Sequence, residues 1–170
     1  MSVGKRDLIR FKVLIDTKPL YNIITAQIGM KRNLEYGEEL LKYLRKMKLP
    51  LASTWPVFTE ALYFIYRDLK KRKDFDTKLE EIKGILKHVE ELDVKFHDVL
   101  GKLTKDFDIA DVALLELAEK APVIVLTEDY KLVKKARSMG IVALTPYELL
   151  SIAIEDEENI LENSSHNQAS

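Results

Sequence analysis

The stretch PVIVLTEDYKLVKKARSMGIVALTP, residues 122–146, decides the fold class. Val123–Thr127 is the most strand-like run in the chain, a block of apolar residues behind a proline. Tyr130–Met139 then carries helical periodicity, and Ile141–Thr145 is a second strand-like run bounded by Gly140 and Pro146. A strand, a helix and a strand in so few residues describe the crossover unit of a parallel sheet.

The same alternation extends toward the N-terminus. Phe11–Ile15 and Leu49–Ser53 read as strands. Helical spacing appears in Leu34–Met47, Val57–Leu69, Leu79–Leu92 and Ile109–Ala118. Strands separated by helices predict a three-layer α/β/α fold with a central, mainly parallel sheet of 4–5 strands. The expected organisation is a short extension over 1–10, one domain over 11–150, and a partly disordered tail over 151–170, which turns acidic and then small and polar.

Composition narrows the function classes. Hydrophobic residues make up 46% and charged residues 32%, and the formal net charge is -1, so no global field selects a polyanionic or membrane partner. Cysteine is absent, which removes disulfides and thiolate metal sites. No apolar run has the length of a signal peptide or a membrane span, so the chain reads as cytoplasmic with no membrane partner. Neither GxGxxG nor GxxxxGK[ST] occurs.

The chemistry-bearing feature is a set of acids at element ends. In a parallel sheet, ligand sites lie outside the carboxyl ends of the strands. Asp16 ends the first strand in FKVLIDTKPLYN, and Asp129 stands two residues past Thr127. Glu60 lies in the helix after the second strand, and Asp111 in the first turn of a later helix. Each also has a structural reading. Asp16 suits a turn, Glu60 a solvated helix face, and Asp108 with Asp111 a helix cap and its N3 partner. Asp129 suits the first turn of a helix that Thr127 would cap. Gathered at one rim, the acids would repel one another and call for a cation. Oxygen ligands alone, with His88 and His97 wrongly spaced for a pair, select Mg²⁺ or Mn²⁺.

Taken in order, these segments resemble the PIN domain, the metal-dependent ribonuclease family that includes VapC-type toxins. VLIDTKPLYNII resembles its opening strand with Asp-Thr, TEALYFI its second motif, and DIADVALLELA its third. VIVLTEDYKLVKKARSMGI resembles the strand, Thr-x-Asp and helix that carry the fourth acid. The resemblance spans about Lys12–Leu150. It implies an endoribonuclease acting on single-stranded RNA, with Asp16, Glu60, Asp111 and Asp129 binding Mg²⁺ or Mn²⁺. Asp16 and Asp111 are then the most direct ligands, with Asp129 in support and Glu60 acting through water or on the nucleophile. Thr17, Thr127 and Asp108 fall in supporting positions, and Glu128 is expected to face solvent. Lys18, Arg67, Lys70 and Lys71 are candidates for RNA phosphate contacts, against a reading as solvated helix residues. Partners implied are an antitoxin protein and a second copy in a homodimer. An RNA-processing PIN nuclease and a catalytically silent RNA- or protein-binding module are the alternatives. Lys18 and the charged stretch Lys70–Lys105 depart from the family pattern.

Overall fold

The computed structural model describes residues 11–30, 36–152 and 154. The expected extension over 1–10 and the tail from 155 onward lie outside the described residues, as do the first two positions of the helix expected from Leu34. The elements in chain order are β1 (Lys12–Ile15), α1 (Thr17–Gln27), α2 (Gly37–Lys46), β2 (Leu51–Ser53), α3 (Trp55–Leu69) and α4 (Phe75–Leu86). They continue with β3 (Val89–Glu91), α5 (Phe96–Gly101), α6 (Ile109–Ala118), β4 (Val123–Leu126), α7 (Tyr130–Ser138) and β5 (Ala143–Leu144). A final helix, α8, runs over 146–152.

The five strands form one sheet in the order β3-β2-β1-β4-β5, and every pairing is parallel. Helices cover both faces, which gives the three-layer α/β/α arrangement. The central strands explain why. Val13, Leu14 and Ile15 are sealed from solvent, as are Ile124, Val125 and Leu126, and no polar residue interrupts either run. From β1 the chain builds outward to β2 and β3, then returns to lay β4 against β1 on the other side. That reversal sets the carboxyl ends of β1 and β4 side by side, with Ile15 in register with Leu126. The Asp16 amide donates to the Leu126 carbonyl at 2.9 Å and closes the seam. In open parallel sheets such a reversal opens a crevice for ligands.

Several boundaries differ from the sequence reading. The helix expected over Leu79–Leu92 ends at Leu86, and Val89–Glu91 becomes the edge strand β3. Its single inward residue, Val89, fits a helix spacing as well as a strand spacing, and exposed Glu90 and Glu91 protect the edge from further pairing. Helix α1 was not foreseen because it begins one residue after β1 ends. Asp16 is its N-cap, with Pro19 tolerated in the first turn. Residues 151–152 continue α8, and Ile152 packs against the core. That helix starts from a reciprocal cap in TPYE: Thr145 Oγ1 accepts the Glu148 amide at 3.1 Å, and Glu148 Oε2 accepts the Thr145 amide at 2.8 Å. Among the described residues, no helix is long and apolar enough to cross a membrane.

One glycine sets how closely α2 approaches α1. A Cβ on Gly37 would lie 2.5 Å from the Asn22 carbonyl oxygen and 3.1 Å from the Ala26 Cβ. Gly37→Ala should therefore destabilise the protein by about 1–3 kcal/mol through overpacking, read as a lower urea midpoint at unchanged slope.

Candidate active site

The crevice between β1 and β4 is a cavity of about 570 Å³, and residues from five separate segments of the chain line it. Asp16 and Thr17 enter from the end of β1, and Glu60 from α3. Asp108 and Asp111 come from the start of α6, and Glu128 and Asp129 from the turn after β4. All four acids expected at the site, with Asp108 as a fifth, thus border one cavity.

Asp16 is the best-anchored. It is buried at 9% exposure, its Oδ1 accepts the Thr17 amide at 2.6 Å, and its Oδ2 accepts the Thr127 hydroxyl at 2.6 Å. Thr127 in turn accepts the Asp129 amide at 3.0 Å, so one buried hydroxyl ties two acids together. This corrects the expectation that Thr127 caps α7. Asp129 is the N-cap itself, its Oδ1 accepting the Lys131 amide at 2.7 Å. At α6 the expected cap is present. Asp108 Oδ1 accepts the Asp111 amide at 3.0 Å, and Asp111 Oδ2 accepts the Asp108 amide at 3.3 Å.

Crowding shows in the proton affinities. Burial pushes the Asp16 carboxyl up; the Thr127 and Thr17 bonds oppose this, and repulsion from Asp108 and Asp129 adds to it. Glu60 is raised by burial and then by Asp108 and Asp16, with the Thr17 hydroxyl pulling the other way. Asp111 is pushed up to about 7, first by burial and then by Asp108 and Asp16. Three acids on different elements therefore share one electrostatic environment, the condition that a bound cation would relieve.

The donor set suits a hard divalent cation. Every candidate ligand is an oxygen. Among the described residues, however, no three carboxylates stand close enough to form a ready metal-binding group. The fit lies in donor type and convergence rather than in a closed cage.

The basic residues divide. Lys18 and Arg67 line the cavity, whereas Lys70 and Lys71, exposed past the end of α3, do not. Lys18 Nζ pairs with Glu128 Oε2 at 2.6 Å, which gives the odd lysine after Asp-Thr a partner. Glu128 was expected in solvent, but its side chain is only 18% exposed and it faces the cavity. Sequence reasoning missed Tyr21, Asn22, Tyr36 and Phe64, which also line the cavity. Phe64 had a readable signal, one helical turn after Glu60; Tyr36 had none, because it reaches the cavity only through the packing of α2 on α1. A further buried acid, Glu116, lies outside the site. Lys102 and then Lys120 hold its carboxyl down, so it reads as a structural ion cluster.

Thr127→Val would remove the bond that orients Asp16 while nearly preserving shape. Were these acids to hold a divalent cation, loss of such a supporting partner would cost roughly 10–100-fold in affinity, read by Mn²⁺ titration.

No family model matches the sequence, and no curated protein matches it. The structure is similar to the crystal structure of PAE2754 from Pyrobaculum aerophilum. The TM-score is 0.58 at 19% sequence identity, covering 85% of this chain and 98% of that one. That likeness supports the fold.

Proposed function

We propose that this protein is a PIN-like, metal-dependent endoribonuclease that hydrolyses RNA phosphodiester bonds at the cavity between β1 and β4. The observation that carries the proposal is convergence. Asp16, Glu60, Asp111 and Asp129 are separated by up to 113 positions in sequence, yet they line one cavity at the sheet reversal. Asp16, Asp111 and Asp129 would hold Mg²⁺ or Mn²⁺, which supplies a Lewis acid for phosphate charge and lowers the pKa of water. Asp16 is positioned by Thr127 and the Thr17 amide, so its carboxylate is oriented before any ligand arrives. Glu60, on a rigid helix wall, orients the attacking water and accepts its proton. Water oxygen joins phosphorus, the P–O bond to one ribose breaks, and the departing oxygen takes up a proton.

The reading brings its partners with it. An RNA substrate would place the protein in the cytoplasm, and a toxin role would require an antitoxin segment able to cover this rim. Co-purification with a neighbouring small protein, and the mass of the isolated chain in solution, test the antitoxin and the homodimer.

One observation favours a second reading, a non-catalytic α/β module. Asp16, Asp108 and Asp129 are all helix N-caps, and caps alone can account for acids there. Incubation of an unstructured, end-labelled RNA with the protein and Mn²⁺ separates the two. Metal-dependent fragments that EDTA abolishes support the nuclease, and intact RNA over the full range of Mn²⁺ and Mg²⁺ supports the module.

A further inference from the structure

We infer that Phe64 and Arg67 form a nucleobase subsite beside the acids, which takes one unpaired base of a single-stranded nucleic acid. The location of this subsite beside a cleavage centre rests on the ribonuclease reading, but the recognition itself can be measured without cleavage.

Helix α3 presents Glu60, Phe64 and Arg67 to the cavity, four and then three residues apart. At ~1.5 Å per residue they rise along one face by about 6 Å and then about 4.5 Å, so acid, ring and cation follow in line. The Arg67 guanidinium carbon lies 5.3 Å from the Phe64 ring centroid, and the Tyr63 ring meets Phe64 edge-on at 5.7 Å. Phe64 is half-buried yet belongs to neither apolar core cluster, so core packing does not account for it.

Charge gives the platform its role. Of the two cations lining the cavity among the described residues, Lys18 is engaged by Glu128 at 2.6 Å, whereas the ion pair that Arg67 makes among those residues is a long 3.7 Å approach to Asp68. An acidic crevice repels a phosphate chain, so contact with uncharged bases must supply much of the hold. A base stacks on an aromatic ring or a guanidinium plane, and each stacked base is worth roughly 5- to 150-fold in affinity. A paired base stays inside its helix and cannot reach the platform.

The test uses the full chain carrying Asp16→Asn, so that an end-labelled RNA decamer stays intact while its binding is followed by fluorescence anisotropy without divalent metal. The single strand should bind at least tenfold more tightly than its duplex, and an abasic residue scanned along it should weaken binding at one position. Adding Phe64→Ala should cost roughly tenfold and remove that abasic penalty, with little change in thermal midpoint, because Phe64 is outside the core. Adding Phe64→Trp instead should preserve both affinity and penalty, which keeps the test open should the alanine protein be unstable. Undiminished binding by Phe64→Ala, an abasic penalty that persists in it, or no RNA binding without this change would each overturn the inference. Cleavage by the wild type with no stacking would refute the subsite alone, and stacking with no cleavage would refute the nuclease reading alone.

Discussion

Asp16→Asn and Asp111→Asn should each abolish metal-dependent RNA cleavage while leaving the fold in place. Changes to supporting residues already cost 10–100-fold at metal sites, so loss of a direct ligand should exceed about 100-fold. Asparagine keeps the shape of Asp16 and can still accept the Thr17 amide, now bonded at 2.6 Å, so α1 stays capped. The same change at 111 leaves an oxygen for the Asp108 amide, now at 3.3 Å, and keeps the cap of α6. Each variant loses one negative charge facing the cavity, and Asp16→Asn also gives up the oxygen that accepts the Thr127 hydroxyl. Circular dichroism should match the wild type; cleavage that survived in both variants would remove these acids from the mechanism.

Metal-free protein should lose stability as pH rises from about 4 to about 8, and Mn²⁺ should reverse the trend. The Asp111 carboxyl is held near 7 by burial, Asp108 and Asp16, against roughly 3.9 in an unfolded chain. Between those values the folded protein keeps a proton that the unfolded chain has released. Unfolding then releases protons, and stability falls with pH. The loss is absent below about 4 and complete somewhat above 7. Asp16 and Glu60, also raised by burial, act in the same direction. A cation must displace these protons, so its affinity rises across the same window. Asp111→Asn should consequently raise the thermal midpoint of the metal-free protein at pH 8 and flatten its dependence on pH. A midpoint that climbed from pH 5 to pH 8 in EDTA would contradict the crowding of these acids.

How much of this was legible in sequence followed from what each segment records about itself. The buried strands around Leu14 and Val125 announce themselves because both faces are covered, and the alternation with helices yields the parallel layers. Ile109–Ala118 was read with its ends correct, since Asp108 and Asp111 carry the capping pattern in plain view. Strand β3 was hidden because one buried valine followed by two exposed glutamates has no period to detect. Helix α1 was hidden because no turn separates it from β1. At the site, the acids were legible by their place at element ends, but their partners were not. Thr127 reaches Asp16 across 111 positions, and Glu128 turns toward Lys18 only once β4 is laid beside β1. The direction of a side chain at a strand end depends on its neighbour in the sheet, which a local pattern does not contain.

The most direct measurement is Mn²⁺ binding to the purified full chain at pH 8, followed by electron paramagnetic resonance beside the Asp16→Asn, Asp111→Asn double variant. One or two saturable ions per chain in the wild type, and at least a tenfold weaker response in the double variant, are the predicted result. Absence of saturable binding in the wild type, or equal binding in the double variant, would show that the acids gathered between β1 and β4 are not a metal site.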